Sequence, residues 1–285
     1  MPELPEVETI ARGLARRVTG DVIESVWIGS KPEPLKSPAS EIARILESAR
    51  IADVRRIGKH IVFDLEKTRR EPSPARKSRP KILKNVATTS QWIVHLGMTG
   101  RMLACHPDDP VEKHTHLIAK LSSGRELRFV DPRRFGRLSV TRSFQAPGFE
   151  PLEVELDRFA KLFRGRKTPI KSALLNQKLL SGVGNIYADE ALFRAGIRPR
   201  RRAASLSNEH LRRLYLALQE VLKEAIDLGG SSISDYVDAD GREGFFQLQH
   251  RVYGREGEPC LVCQTPIKRI VIAGRSSHYC PKCQR

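Results

Sequence analysis

The first residues of the chain combine a proline with closely spaced carboxylates. Removal of Met1 would leave Pro2 with a free secondary amine, which is a nucleophile. Glu3 and Glu6 lie beside it in sequence as candidate proton donors and acceptors. Pro5 and Glu6 are also typical of a helix start, whose positive dipole end disfavours a protonated amine nearby. The simpler interpretation is that these residues only begin an amphipathic helix.

Four of the five cysteines have the spacing of metal ligands. Cys260 and Cys263 form one C-x2-C pair, and Cys280 and Cys283 form another, with sixteen residues between the pairs. Two such turns complete a tetrahedron of thiolates around one zinc ion and leave no open position for catalysis. The residues between them predict two short strands, Ile267–Ala273 and Ser277–Tyr279, joined by Gly274-Arg275-Ser276. We therefore predict a structural zinc ribbon; disulfides are the alternative, and the fifth cysteine, Cys105, is expected to be a small buried hydrophobe.

The surplus of basic residues indicates a polyanionic partner. The chain has 285 residues and a net charge of +17, from 50 Lys and Arg against 33 Asp and Glu. The alternative is a basic, solvated surface without such a partner. No apolar run is long enough to span a bilayer, and the acidic start does not fit a signal peptide. We therefore expect a cytoplasmic protein with reduced thiols and no membrane contact.

Residue patterns predict that the first region is mostly antiparallel β, in a sandwich or barrel. It begins with a helix, since Val7, Ile10, Leu14 and Val18 recur at helical spacing. A short helix is predicted at Glu41–Leu46 among the strands. A Ser122-Ser123-Gly124 turn joins the fourth and fifth strands as a hairpin. The predicted strands are Val22–Ile28, Ile51–Leu65, Gln91–Leu103, His116–Leu121, Glu126–Val130 and Arg137–Thr141.

The second region is predicted to be helical, with helices at Pro169–Leu180, Asn185–Ala195 and from Ser207 to Gly229. The Gly182-Val183-Gly184 segment fails as a dinucleotide fingerprint because no strand precedes it. The helix start at Asn185 would instead direct free amide donors at a phosphate. The alternative is a turn that only packs two helices together.

A basic stretch, Lys67–Ser90, interrupts the β region. It is rich in Lys, Arg, Pro and Ser and contains one acidic residue, Glu71. We predict an extended or disordered loop between two strands, forming a basic insertion over residues 67–90. A solvated insertion is the first interpretation, and an added non-specific DNA contact is the second.

Several motifs together resemble formamidopyrimidine-DNA glycosylase, a bacterial base-excision repair family. The resemblance implies an α+β protein with an N-terminal helix and antiparallel β-sandwich in residues 1–145, a helix-two-turn-helix module in 150–245 and a zinc finger in 246–285. It also implies that a monomer in the bacterial cytoplasm holds DNA in the cleft between these parts. The motifs are Pro2–Thr9, Gly58-Lys59, His95–Gly100, Asp131–Gly136, Ser181–Glu190, Ala273–Arg275 and Tyr279–Cys283.

The same resemblance implies catalytic roles. Pro2 would attack C1′ of the damaged nucleotide and form an iminium, with Glu3 as the general acid. Glu6 would help to hold the N-terminal segment, and Lys59 would contact the phosphate of the damaged nucleotide. The implied activity is excision of 8-oxoguanine opposite cytosine and of formamidopyrimidines. Because an iminium acidifies the neighbouring sugar carbon, β,δ-elimination can then nick the strand.

Other matching residues are expected to contact and reshape the DNA. By resemblance, Met98, Arg133 and Phe135 fill the void left by the extruded base, and the Gly230–Phe246 loop closes over it. From the residues alone, Met98 would be a core methionine and Asp131–Arg133 a β-turn. The residues expected to contact phosphates are His95, Asn185, Tyr253 and Arg275.

Two other functional classes remain open at this point. A related endonuclease VIII type acts on oxidised pyrimidines, but its start usually has Gly where Leu4 stands, and it lacks the pattern of Met98 and Arg133–Phe135. A non-catalytic DNA-binding zinc-ribbon protein would have no need of Pro2, Glu3 and Lys59 together.

Overall fold

A computed structural model describes residues 1–72, 83–231, 239 and 244–285 of the chain. Two four-stranded antiparallel sheets form the first region, in the strand orders β1-β6-β7-β5 and β2-β3-β4-β8. Both sheets and the first helix contribute to one hydrophobic core, in which the Phe63 and Trp92 rings stack with centroids 4.6 Å apart. The elements are α1 Leu4–Val18, β1 Ile23–Ile28, α2 Ala39–Leu46, β2 Arg50–Ile57, β3 His60–Pro72, β4 Leu83–His95, β5 Arg101–Cys105, β6 Thr115–Leu121, β7 Glu126–Val130 and β8 Arg137–Thr141. The sandwich and the β6–β7 hairpin are as predicted.

Two predicted strands are each divided by a glycine turn. The Ile51–Leu65 run forms β2 and β3, which Gly58 separates with φ +59°. The Gln91–Leu103 run forms β4 and β5, and Gly97 between them has φ +65°. A glycine reaches this left-handed backbone region without the steric penalty of a side chain. As a result, Lys59 and Met98 lie on turns and not within the sheets.

The basic stretch is not a loop throughout. Strand β3 extends to Pro72 and β4 begins at Leu83, with Lys67 opposite Thr88 and Pro72 opposite Leu83. Residues 83–90 include Val86, Thr88 and Thr89, whose β-branched side chains favour a strand although the composition is polar. Residues 73–82 of the predicted insertion lie outside the described part of the chain.

The second region contains four helices among its described residues. They are α3 Leu156–Phe163, α4 Ile170–Leu174, α5 Asn185–Arg194 and α6 Asn208–Asp227. The helix from Asn185 and the helix capped by Ser207 are as predicted, whereas α3 was not predicted. The helix predicted over Pro169–Leu180 ends at Leu174, because the Asn176 side chain accepts a hydrogen bond from the Lys178 amide and stabilises a turn instead.

Helix α1 joins the two regions. Leu4 is buried in the helical core, whereas Val7, Ile10 and Leu14 are buried in the sandwich core. Gly182 reinforces this junction, because its carbonyl accepts a hydrogen bond from the Leu4 amide at 3.1 Å. The first turn of α1 therefore lies where the two regions meet.

The C-terminal region is a two-stranded hairpin beside four cysteines. Strand β9 spans Lys268–Ile272 and β10 spans Arg275–Tyr279, paired antiparallel. The turn is Ala273-Gly274, with φ of +46° and +74°. The predicted boundary was wrong here, because Arg275 is the first residue of β10 and not part of the turn. No helix in the described part of the chain is long and apolar enough to cross a membrane.

Candidate active site

The carboxylates at the start of α1 are buried where the two regions meet. Glu3 is 5% exposed and Glu6 is 2% exposed, and Pro2 beside them is also buried. The backbone amide of Glu3 donates a hydrogen bond of 2.8 Å to Glu6 Oε2, which satisfies one free donor of the helix start. Both carboxyl groups therefore sit in an environment with little water.

Glu3 has the properties of a proton donor at neutral pH. Its Oε1 accepts a hydrogen bond of 3.3 Å from the Ile186 amide, and its Oε2 is buried without a partner among the described residues. Burial raises the pKa of Glu3 to about 7; the nearby Lys59 lowers it in part, and Glu6 raises it further. The carboxyl group therefore retains its proton to a higher pH than an exposed glutamate does.

Gly184 allows this close approach of α1 and α5. A Cβ atom at Gly184 would lie 1.9 Å from Cδ of Glu3. Real side chains do not tolerate such a distance, so any other residue here would displace the carboxyl group. The glycine-rich segment before α5 thus makes room for Glu3.

Glu6 connects three parts of the chain. Its Oε1 accepts hydrogen bonds from the Tyr187 hydroxyl of α5 and, at 2.8 Å, from the Ser231 amide. Burial raises the pKa of Glu6, while these hydrogen bonds lower it in part. Gly230 lies against the same side chain, because a Cβ there would be 2.9 Å from Glu6 Cγ. Glu6 therefore holds α1, α5 and residues 230–231 together.

Lys59 lies on the turn between β2 and β3, where its charge interacts with that of Glu3. Its side chain is 9% exposed, and no hydrogen bond or ion pair joins it to the described residues. Burial lowers the pKa of Lys59, whereas Glu3 and Glu6 raise it in part. Its ammonium group is thus a poorly solvated donor beside the catalytic candidates.

A charged cluster holds the Lys59 turn in place. The Gly58 amide donates to Glu150 Oε1 at 2.6 Å, and Arg56 pairs with Glu150 at 2.8 Å and with Glu8 at 2.7 Å. Arg56 is 7% exposed on its side chain, so these ion pairs are shielded from solvent. Glu150 lies between the two regions, and this cluster therefore fixes Lys59 relative to both.

A second buried cluster fixes the hairpin that carries Arg275. Lys171 Nζ and Asp189 Oδ1 are 2.7 Å apart with both side chains fully buried, and Lys171 also donates to the Ser276 carbonyl at 2.6 Å. Asp189 accepts hydrogen bonds from the Ser277 hydroxyl at 3.0 Å and from the His278 amide at 2.9 Å. The start of β10 is therefore anchored to α4 and α5.

The predicted phosphate contacts Asn185, Tyr253 and Arg275 lie around this anchored hairpin. Asn185 Nδ2 donates to the Ser276 hydroxyl at 3.3 Å, and its Oδ1 is buried without a partner among the described residues. Burial raises the pKa of the Tyr253 hydroxyl, and its backbone amide donates to Glu190 at 2.9 Å. Arg275 is exposed but close enough to lower the pKa of Lys59.

His95 and Met98 lie on the other side of the site, at the turn after β4. The Gly97 amide donates to His95 Nδ1 at 3.1 Å. Burial lowers the pKa of His95 to about 4, and His60 and Lys59 lower it further, so its ring is neutral at pH 7. Met98 is 43% exposed, which contradicts the alternative of a core methionine.

Asp131 joins the Met98 turn to the turn that carries Arg133 and Phe135. Its buried carboxylate accepts hydrogen bonds from the Thr99 hydroxyl at 2.6 Å, the Gly136 amide at 2.7 Å and the Arg133 amide at 3.2 Å. Phe135 is 48% exposed, and the Arg133 guanidinium lies 4.8 Å from its ring centroid. The buried Asp131 carboxylate thus holds two adjacent turns, and each turn exposes a large apolar side chain to solvent.

Sequence reasoning missed the residues that act by positioning others. They include Glu150 and Lys171, and also Asp189 and Glu190, which were matched as part of a motif without a role. Asp189 and Glu190 are acidic residues within an otherwise apolar helical segment, and that contrast was the available signal. Lys171 and Glu150 stand in ordinary polar surroundings in the sequence and gave no such signal.

The four cysteines of the C-terminal region can hold one metal ion. Their sulfur atoms all lie within 4.8 Å of one another, at 3.9 Å for Cys260 and Cys283 and 3.4 Å for Cys263 and Cys280. A tetrahedral zinc site with Zn–S bonds of about 2.3 Å requires sulfur atoms about 3.8 Å apart, so the donors fit. All four are free thiols, which argues against the disulfide alternative. Cys105 is only partly buried, unlike the prediction.

Three family models match the chain in succession. The formamidopyrimidine-DNA glycosylase N-terminal domain matches residues 1–138, and the formamidopyrimidine-DNA glycosylase H2TH domain matches residues 147–237. The zinc finger found in FPG and IleRS matches residues 257–285. The three models together cover the sandwich, the helical region and the cysteine hairpin.

Individual relatives agree over the full length of the chain. A formamidopyrimidine-DNA glycosylase of Solibacter usitatus is 44% identical over 295 residues, covering 100% of both chains. A crystal structure of a Lactococcus lactis FPG mutant with Fapy-dG containing DNA is 32% identical, with a TM-score of 0.86 and 100% of both chains covered. The wild-type Lactococcus lactis FPG with an oxidised pyrimidine containing DNA is also 32% identical, with a TM-score of 0.84 and the same coverage.

Proposed function

Because the chain belongs to the formamidopyrimidine-DNA glycosylase family of DNA-repair enzymes, whose activity includes abasic-site lyase chemistry, we propose that it excises oxidised purines and nicks the strand through Pro2. The substrates proposed are 8-oxoguanine opposite cytosine and formamidopyrimidines. The observation that carries the proposal is the Glu3 carboxyl group, which is buried next to Pro2. One of its oxygens has no partner among the described residues, and burial raises its pKa to about 7.

The first step joins the Pro2 nitrogen to C1′ of the damaged nucleotide. With Met1 removed, Pro2 is a secondary amine whose lone pair attacks C1′ as the bond from C1′ to the base breaks, and the departing base takes up the proton that the amine nitrogen loses. Glu3 delivers its proton to the sugar ring oxygen, so the ring opens and C1′ becomes part of a cationic iminium with the proline nitrogen. If Met1 stays, that nitrogen is an amide and cannot attack.

The strand is then cleaved from the same intermediate. The iminium withdraws electrons from C2′, and loss of a C2′ proton expels the 3′ phosphate. A second elimination expels the 5′ phosphate. Lys59 supports these steps by holding the phosphate of the damaged nucleotide with an ammonium group that has no hydrogen-bond or ion-pair partner among the described residues.

The two exposed turns fit the role of opening the duplex. Met98 and Phe135 are large apolar side chains that would replace stacking partners, and Arg133 would face the orphaned cytosine. The buried Asp131 supports this role, because it fixes both turns in one arrangement before DNA arrives. Phosphate contacts are assigned to His95, Asn185, Tyr253 and Arg275.

We assign one zinc ion to the cysteine hairpin and divide the chain into three functional parts. Zinc would keep the hairpin folded around Arg275 and would take no part in the chemistry, since four thiolates fill its coordination shell. The parts are the catalytic sandwich of residues 1–145, the helix-two-turn-helix module of 150–245 and the zinc finger of 246–285. The enzyme is proposed to act as a monomer in the bacterial cytoplasm, where its net charge of +17 favours double-stranded DNA.

An assay of strand nicking tests the proposal. Duplexes carry 8-oxoguanine opposite cytosine, a formamidopyrimidine, or an oxidised pyrimidine, and the products are separated by length and by terminal phosphate. The expected result is preferential nicking of the first two duplexes, with phosphates at both new ends. Preferential nicking of the duplex with the oxidised pyrimidine would instead assign the chain to the endonuclease VIII type. DNA with such a base is present in one structure of a relative, the Lactococcus lactis FPG.

A further inference from the structure

A cavity lies beside the turn that carries Arg133 and Phe135. It has a volume of about 460 Å³, within the range of ligand pockets, and opens to solvent. Pro132 and Arg134 line it, so it borders the residues that alternate with Arg133 and Phe135 along the same turn. We call it the Trp27 pocket. It is also lined by Trp27, Gly29, Lys31, Lys113 and His114.

Trp27 lines this pocket with a large ring that remains exposed to water, which is unfavourable for an apolar side chain. The side chain is 52% exposed on β1, an edge strand that pairs with β6 alone. Gly29 allows the ring to lie over the end of the strand, because a Cβ at Gly29 would be 3.3 Å from Trp27 Cη2. The other tryptophan, Trp92, is fully buried against Phe63, and tryptophan side chains are highly buried on average. The exposed indole face beside the pocket is available for a planar group to stack on it.

The charges around the ring favour an anionic ligand. Lys31 and Lys113 are exposed, and no ion pair within the described ranges involves either of them. Arg134 is paired with Glu33 at 2.5 Å, and the neighbour of Lys113, Glu112, is paired with Arg101 at 2.5 Å. The acidic side chains near the pocket are therefore already engaged, and two free ammonium groups flank the tryptophan.

We propose that the Trp27 pocket binds one unpaired nucleotide of DNA, with its base stacked on Trp27 and its phosphate held by Lys31 and Lys113. Nucleic-acid-binding proteins combine stacking aromatic rings with cations in this way for single strands. A paired base has both faces covered by its neighbours, whereas an unpaired base has a face free for the indole. The inference rests on the proposed function for its location, since Arg133 and Phe135 would place DNA at this turn. Lesions next to a single-stranded segment would gain affinity from it.

Tryptophan fluorescence tests the pocket directly, because the chain has two tryptophans. The Trp92→Phe variant keeps the stack on Phe63 and leaves Trp27 as the reporter; Trp92 Nε1 has no hydrogen-bond partner to lose. We expect oligothymidylate to quench this variant and to leave the fluorescence of Trp27→Phe unchanged. Trp27→Ala is expected to weaken oligothymidylate binding by about 5- to 150-fold, the range for loss of one stacked base.

Matched variants and probes make the result decisive. Lys113→Ala is expected to weaken oligothymidylate binding more than Lys223→Ala, which removes the same charge from the exposed surface of α6. Quenching by inorganic phosphate alone, equal quenching by a fully paired duplex, or binding without quenching would each overturn the proposal. Trp27→Ala is expected to nick a paired lesion duplex like the unmodified protein. If oligothymidylate quenches the Trp92→Phe variant while the unmodified protein nicks no lesion, the proposed function fails and the pocket stands.

Discussion

Replacing Glu3 by Gln is expected to change how the stability of the protein depends on pH. The folded-state pKa of Glu3 is raised from 4.5 to about 7, mainly because the carboxyl group is buried. The folded protein therefore binds more protons than the unfolded chain between these pH values, and its free energy of unfolding falls as pH rises through that window. Glutamine has the same shape but does not ionise, so the Glu3→Gln protein lacks this contribution.

The size of the effect follows from the pKa shift. Each pKa unit corresponds to about 1.4 kcal/mol, so a shift of about 2.5 units gives roughly 3 kcal/mol. Glu3→Gln is thus expected to gain about 3 kcal/mol of stability relative to the unmodified protein as pH rises from about 4.5 to about 7.5.

Urea unfolding at several pH values between 5 and 8 measures this difference. The fluorescence of Trp92, which is buried in the sandwich core, reports unfolding of the region that contains α1. Glu153→Gln is a control, because it removes an exposed carboxylate and is expected to show no such pH dependence. A stability difference between Glu3→Gln and the unmodified protein that is constant across this range would refute the assignment of a raised Glu3 pKa.

Three further predictions concern the other parts of the site. Cys280→Ser is expected to release zinc and abolish DNA binding while the sandwich stays folded; metal analysis and binding measurements check this, and full DNA affinity without zinc would contradict it. Arg133→Ala is expected to reduce discrimination for cytosine opposite the lesion by about 1–3 kcal/mol, with a smaller loss of non-specific affinity, as measured by nicking against each opposite base. Gly184→Ala is expected to displace Glu3, because the new Cβ would lie 1.9 Å from its carboxyl carbon, and so to suppress base excision; an unchanged excision rate would be evidence against the tight junction.

Local signals in the sequence were enough to predict the sandwich, the cysteine hairpin and four of the helices, α1, α2, α5 and α6. These signals did not predict the positions at which the chain turns or a helix ends. Gly58 and Gly97 divide runs that read as continuous strands, because alternation of apolar residues does not show where the chain turns. Asn176 ends a helix through a side-chain hydrogen bond that helical periodicity does not reveal.

For the candidate site, the sequence indicated the exposed and reactive residues more readily than the buried residues that position them. Glu3 was found because its type and its place beside Pro2 carry chemistry, and Lys59 was found through the family resemblance, but their raised and lowered pKa values depend on burial. The burial of Glu3 involves Gly184 and Ile186, about 180 residues away in sequence. Contacts over such separations follow from tertiary packing, which a single sequence does not specify.

Trapping of the covalent intermediate tests the central claim most directly. Borohydride reduces an iminium to a stable amine, so incubation with a lesion-bearing duplex is expected to give a protein–DNA adduct, and mass spectrometry of its peptides is expected to place the DNA on the Pro2 nitrogen. The same protein with Met1 retained is expected to give no such adduct. An adduct formed only through a lysine such as Lys59, with the Pro2 nitrogen unmodified, would contradict the account.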